Sequence, residues 1–349
     1  MPSSTPSLSG ASESIDTLKM YVMRWPGRAR AGHWLRRAME LVVKSLHLDM
    51  SLPLESSPSD RDCKVRLPRC TRAAEIKLDL NYGTLKLPAM VEFNALTDLF
   101  LWVISLARGD GGRLGRLLSS PCCPRLRKLH LFTICGLEEL QLHARAVEIL
   151  KLGQLADLRR LDLDTPRLSS LDVGSSVLRR EPSNFTIRAP ALEQLQSSLM
   201  PYPHEIEIQY RFNIQLLQSC TSVRPHIVEL HVPGYLSRCD EECRICGRVG
   251  TWKEDKISLD HLREVEFSGF SGQECHDMAQ LLLLNSPVLQ RMTVAVEVSC
   301  DDSSDDESSP HQRTIMETSV LTLPRPRGKW SACAPANEAR AEYEWTPGR

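Results

Sequence analysis

One short phrase recurs along this chain: aliphatic, two variable residues, aliphatic, one variable residue, aliphatic. It starts at Leu96, Leu126, Leu137, Val147, Leu158 and Leu168, and less perfectly at Leu192. From Leu126 to Leu168 successive starts lie ten or eleven residues apart, about half of the twenty or more that one coil of a leucine-rich solenoid needs. Alternate members resolve the mismatch, because Leu126, Val147 and Leu168 are 21 apart, and so are Leu137 and Leu158. Each 21-residue coil then carries two short strands, one on each flank. Two strands of about four residues span about 13 Å each, which leaves about a dozen residues for the two turns. The leucines point inward from both flanks and stack on those of the next coil about 4.8 Å away, so coils share a core that no single coil could form. A sandwich of hairpins is the competing all-β reading of a ten-residue spacing. Hairpins favour Asn-Gly or Asp-Gly turns, whereas the connections here read FTICG, HARA and GQLAD.

On either side the periodicity changes. In HWLRRAMELVVKSLHLDM, Trp34, Leu35, Ala38, Leu41 and Val42 have helical spacing, and Leu46, Leu48 and Met50 then alternate as in a strand. AAEIKLDL repeats the alternation at Ile76, Leu78 and Leu80, after a Pro-containing loop over 51–72. Beyond Val173, residues 179–191 read as an irregular connection. A long strand follows through Ile206, Ile208, Tyr210, Phe212 and Ile214, and another over 227–232. The last patterned unit is a strand through Val265 and Phe267, a helix from about Gln273 to Leu284, and a strand through Met292, Val294 and Val296. Ser271 and Glu274 make a capping-box pattern at the start of that helix.

Composition sharpens the boundaries. The 349 residues are 42% hydrophobic, enough for a substantial core. Residues 1–32 are rich in Ser, Pro and Arg and read as a disordered tail, as does the acidic stretch 297–349 that contains DDSSDDE. Residues 33–260 form an irregular leucine-rich-repeat region, and 261–296 the closing strand-helix-strand unit. No run of eighteen apolar residues and no secretory signal pattern is present, so the expectation is an intracellular protein of cytoplasm or nucleus without a membrane partner. Residues 1–200 hold 28 Lys and Arg against 21 Asp and Glu, and 201–349 hold 15 against 23. Spread over so many residues, that asymmetry does not argue for a nucleic-acid partner. Cysteines such as Cys135 and Cys220 lie within apolar strand patterns, which predicts reduced, mostly buried thiols.

The unit at 261–296, with LREVEFSGFSG and LLLLNSPVLQRMTV, resembles the FBD domain of plant F-box proteins. Together with CPRLRKLHLFTICGLEEL and DLRRLDLDTPRLSSLDV it is similar to the plant F-box/LRR/FBD family over roughly residues 33–296. The resemblance implies an α/β leucine-rich-repeat solenoid of short coils ending in an FBD-like unit. It also implies a recognition role, in which the repeats recruit a substrate for ubiquitin ligation and an F-box binds a Skp1-type adaptor. Residues 1–32 contain no Leu/Pro-rich helical F-box, so adaptor binding is assigned to no residue.

Candidate chemistry is sparse. No Gly-x-Ser-x-Gly elbow, no His-Glu-x-x-His and no phosphate-cradling loop occurs. RGDGGRLG at 108–115 reads as a flexible turn. No enzyme and no cofactor is therefore expected. Cys239, Cys243 and Cys246 in CDEECRICG have spacing that lets thiolates converge on zinc, with His231 or His261 as a fourth ligand. The second knuckle is missing, and a Cys-rich loop without metal is the competing reading. The residues best placed to bind an unidentified target protein are outward positions of stacked strands. On one flank these are Lys128 and His130, then Ile149 and Lys151, then Ser170 and Asp172. On the other they are Glu139 and Gln141, then Arg160 and Asp162. An ordinary solvated sheet face is the alternative. Within binding proteins, a scaffold or competitor unconnected to a ligase, or a small zinc-stabilised module, remain as alternatives to the substrate-recognition reading.

Overall fold

The computed structural model describes residues 14–21, 35, 37–50, 64–107, 109–155, 157–174, 184–198, 216, 227–231, 259–260, 262–268, 272–297, 328–332 and 340–347. The leucine spacing does build a solenoid, with parallel strands stacked coil on coil. Its composition is mostly strand with few helices rather than α/β.

The large sheet runs in the order β1 (Ile15–Tyr21), β2 (Val42–Asp49), β4 (Glu75–Lys86), β5 (Asp98–Leu106), β6 (Lys128–Cys135), β8 (Ile149–Gly153), β10 (Ser170–Gly174) and β12 (Gln194–Ser198). It continues through β13 (Ile227–His231), β14 (Glu264–Ser268) and β15 (Arg291–Glu297), all parallel. β3 (Lys64–Arg66) adds to β4. A small parallel sheet has the order β11 (Asn184–Arg188), β9 (Arg160–Asp164), β7 (Glu139–His143). Between Lys128 and Ser198 the chain therefore alternates sheets strand by strand, as the two interleaved 21-residue series require. Leu126, Val147 and Leu168 close one flank and Leu137 and Leu158 the other, all at most 1% exposed. The parallel register of β6, β8 and β10 excludes the hairpin sandwich.

Coil length decides the return element. Register partners Lys128 and Ile149, and Ile149 and Ser170, are 21 residues apart, which leaves room for a return strand of five residues. Asp98 and Lys128 are thirty apart, and that coil returns through helix α2 (Gly111–Leu117). Glu264 and Arg291 are 27 apart and are joined by α3 (Gly272–Asn285), the longest helix described. A short helical turn, α1, covers residues 37–41 and feeds β2 directly. No described helix is long and apolar enough to cross a membrane.

Several expectations are corrected. The stretch 1–32 contains β1, whose Leu18 and Met20 pack partly buried against the core while Asp16 pairs with Lys44 at 2.6 Å. The stretch 297–349 contains β16 (Gly328–Ala332) and β17 (Arg340–Pro347), which extend β15 antiparallel. Tyr343 and Trp345 alternate inward there, at 5% and 4% exposure, and cover the last coil as a terminal cap must. Residues 184–188, expected to be irregular, form β11. The 108–115 segment is not a turn, because residues 111–117 are helical. The strand-helix-strand unit at 261–296 is present as β14, α3 and β15, but it is continuous with the solenoid, since β14 pairs with β13. The strand expected over 206–214 lies outside the described residues, as do Ser271 and the DDSSDDE run.

Two glycines explain how a helix replaces a strand in this stack. A Cβ on Gly111 would lie 2.4 Å from the Gly136 carbonyl oxygen, and one on Gly115 would lie 2.1 Å from that of Gln141. α2 thus rests directly on the backbone of β7 and of the turn before it, and covers an edge of the small sheet that would otherwise be open.

Candidate functional site

The outward positions of the large sheet line up through the register into continuous rows. One reads Lys19, His47, Lys77, Phe100, His130, Lys151, Asp172, Gln196 and Glu229. The next includes Asp79, Trp102, Phe132 and Gly153. Where β5 and β6 cross these rows, polar residues give way to rings.

Phe100 and Trp102 stack with centroids 5.9 Å apart and planes within 10°. Trp102 stacks on Phe132 at 5.6 Å and 20°. His130 sits edge-on to Phe100 at 4.5 Å and to Phe132 at 6.4 Å. All four are half-buried. Lys77 places its ammonium 4.8 Å from the centre of the Phe100 ring while bonding Glu75 at 2.7 Å, so a cation–π contact closes one end. At the other end Phe132 lies over Gly153, where a Cβ would come within 2.4 Å of the ring. Only glycine leaves room for that ring position.

The backbone just beyond the rings is bent. Val103, Thr133 and Gln154 follow Trp102, Phe132 and Gly153, and all three have positive φ, at 48°, 55° and 52°. Asn81 and Tyr82 do the same in β4, at 44° and 64°. One left-handed residue shifts the inward–outward phase by one, so that Ile104 and Ile134 turn into the core. Thr133 Oγ1 donates to Gln154 Oε1 at 2.7 Å and ties two of these bends together. The rings therefore sit along a strained crease, which β-branched residues adopt only under tertiary constraint.

Charged groups flank the ridge. Lys128 pairs with Asp98 at 3.5 Å, and Lys151 with Asp172 at 3.6 Å. Burial raises the Asp172 carboxyl against the pull of Lys151. Further along the same face Gln194 and Gln196 both donate to Glu229. Burial, reinforced by Lys151, lowers the pKa of His130 to about 4, and its Nε2 is buried without a partner among the described residues. His130 is therefore neutral near pH 7 and can act there as an uncharged ring edge.

A pH dependence follows. Because the folded-state pKa lies below the ordinary 6.5, this histidine's contribution to stability is complete above about pH 6.5 and is lost as pH falls toward about 4. Asp79 and Asp172, both raised chiefly by burial, act in the opposite sense in acid, so the comparison must be between chains. Between pH 7 and pH 5 the parent will lose more of its urea midpoint than His130→Gln. Equal losses would show that His130 titrates as it does in an unfolded chain.

The expected binding residues divide by sheet. Lys128, His130, Lys151 and Asp172 come together around the ridge. Arg160 and Asp162 lie on β9 of the small sheet, next to Glu139 and Gln141 in register, and contribute nothing to it. Cys239, Cys243, Cys246 and His261 lie outside the described residues. No grouping of three or more His, Cys, Asp or Glu suited to a metal occurs among the described residues. Cys135, expected to be buried, is exposed because the bend at Thr133 sends Ile134 inward in its place; Cys70 is exposed, Cys122 half-buried and Cys123 buried. Burial pushes the Cys123 thiol up to about 12. Phe100, Trp102 and Phe132 were missed, although Phe100 fills an outward position of the repeat phrase starting at Leu96, and Trp102 and Phe132 directly follow the last aliphatic residue of the phrases starting at Leu96 and Leu126. Large rings at positions that the period assigns to solvent were the available signal.

None of the protein-family models, curated proteins or solved structures compared with the chain matches it.

Proposed function

We propose that this chain is a non-catalytic protein-recognition module and that the aromatic ridge on its large sheet is the contact surface. The observation that carries the reading is the cluster Phe100, Trp102, His130 and Phe132, four half-buried rings from two adjacent rows of a sheet face flanked by charged groups. Aromatic side chains held by their neighbours offer large apolar area at little further entropy cost, and such residues dominate binding energy in protein interfaces. Lys77, Lys128, Lys151 and Asp172 supply the charged rim that sets orientation. The similarity of the repeat phrases and the closing unit to plant F-box/LRR/FBD proteins supports taking the partner as the substrate of a ubiquitin ligase inside the cell, with the adaptor contact made by a Skp1-type protein.

The test is retention of a partner from cell extract on the immobilised chain, followed by titration with that partner once purified. Trp102→Ala with Phe132→Ala is expected to weaken binding by about 2 kcal/mol or more, ~30-fold. Arg160→Ala with Asp162→Ala, on the opposite sheet, is expected to leave binding within a factor of about two. A partner lost only by the second pair of substitutions would move the contact surface to the small sheet. The ligase connection is tested separately by binding of a purified Skp1-type adaptor to the chain alone and to the chain with an F-box fused at residue 33; capture by neither would break it.

A further inference from the structure

A concave site lies away from the ridge, at the end of β4 where β3 joins it. The cavity is open, about 580 Å³ in volume, and lined by Arg66, Arg69 and Lys86 on one side and by Leu67, Pro68, Leu87, Pro88 and Ala89 as apolar wall. Its volume falls within the range of about 300–1,000 Å³ usual for small-molecule sites.

Among the described residues its charges are unbalanced in a specific way. Arg66 and Lys86 are register partners across β3 and β4, so two cations stand side by side on one face. Like charges directly opposite in a sheet are destabilising. Among the described residues, the two carboxylates that line the cavity are already engaged by other groups. Glu40 pairs with Arg37 at 3.0 Å, and Asp110 is held by Arg113 at 2.7 Å and accepts the Leu87 N–H at 3.3 Å. Arg113 also donates to the Pro88 carbonyl at 2.9 Å, which fixes that wall. Among the described residues no carboxylate is paired with Arg66, Arg69 or Lys86. Three cations converge on one cavity, two of them in an unfavourable juxtaposition that a bound anion would relieve.

We infer that this cleft binds a small organic phosphate monoester. A phosphate group carries close to two negative charges and presents three oxygens in different directions, which suits two guanidinium groups and an ammonium better than a single carboxylate does. The apolar wall of Leu67, Pro68, Leu87, Pro88 and Ala89 takes the carbon part of the ligand. The inference is independent of the protein-recognition reading, because none of these residues belongs to the aromatic ridge.

Phenyl phosphate, inorganic phosphate and benzoate, titrated calorimetrically into the full chain at low ionic strength, separate the contributions. Phenyl phosphate will bind saturably and more tightly than either of the others, since inorganic phosphate lacks the carbon part and benzoate the second charge. Arg66→Gln with Lys86→Gln will weaken phenyl phosphate binding on the order of tenfold or more. Without ligand that double variant will melt at the same temperature as the parent or higher, because the like-charge pair is gone. Lys64→Gln, on β3 but outside the cavity, will bind as the parent does. Absence of saturable binding to the parent, unchanged binding by the double variant, or benzoate binding as tight as phenyl phosphate would each overturn the assignment.

Discussion

Replacing Gly115 by alanine will destabilise this protein by about 3 kcal/mol, the upper part of the range for overpacking, although it adds one methyl group. The new carbon would lie 2.1, 2.8 and 2.9 Å from the O, C and N atoms of Gln141. All three belong to the backbone of β7, whose position is set by pairing with β9. No side chain can rotate away, so either α2 lifts off the sheet or β7 leaves its register. Lifting α2 would uncover Leu114 and Leu117, both buried, and would break the bond that the His143 N–H of β7 donates to the Ser119 hydroxyl at 3.0 Å. Gly112 supplies the control within the same helix. A Cβ there has nothing within 4 Å, so Gly112→Ala should raise stability by about 0.5–1 kcal/mol through helix propensity alone. Urea unfolding followed by circular dichroism reads both. Opposite signs from two alanines three residues apart are the expected outcome; similar small effects would mean that α2 does not rest on β7 as described.

The second large effect is expected from Leu150→Ala. Leu150 is fully buried on β8, with Leu129 and Leu171 as its register partners in the coils before and after. Large-to-small substitutions in such cores cost about 2–5 kcal/mol, depending on how far the neighbours relax into the cavity. Here relaxation is limited from both sides, because each neighbouring strand is itself paired to the next coil. A loss of about 3–4 kcal/mol is therefore expected. In a solenoid each coil contacts only its neighbours, so weakening a central coil also weakens the coupling between the two halves. Unfolding of Leu150→Ala should lose cooperativity, seen as a shallower urea transition. Ile149→Ala, one residue away on the outward face, should cost less than about 1 kcal/mol and leave the slope unchanged. Equal effects from the two positions would contradict the inward–outward assignment of β8.

The leucine phrases were legible because stacking requires each coil to offer the same inward residues at the same place. Two interleaved 21-residue series could mean only two flanks, and β6, β8 and β10 separate from β7 and β9 accordingly. At the chain ends, composition misled where alternation did not. Leu18 and Met20 alternate with Thr17, Lys19 and Tyr21, and Tyr343 and Trp345 alternate with Glu342 and Glu344, inside stretches whose Ser, Pro and acidic content suggested disorder. A strand of five to eight residues needs only a local pattern once another strand is there to pair with it. The helix at 111–117 was hidden for a related reason. Three glycines in seven positions argue against a helix on propensity, yet two of them are required by the backbone of β7 and of the turn before it.

By itself, the amino-acid sequence determined the coil period, the inward leucines and the outward residues of each strand, since burying leucine at regular intervals is a local and repeating demand. The tertiary structure alone decided which outward residues meet. Phe100 and Trp102 on β5 and Phe132 on β6, thirty or more residues further along the chain, become one surface only through the parallel register of those strands. It alone decided the left-handed bends at Val103 and Thr133, which neither residue favours and which only pairing between neighbouring strands can hold. It likewise brought Arg66 beside Lys86, twenty residues apart, because the register of β3 on β4 follows from the burial of Val65 and Leu85 beside them and not from the charges themselves.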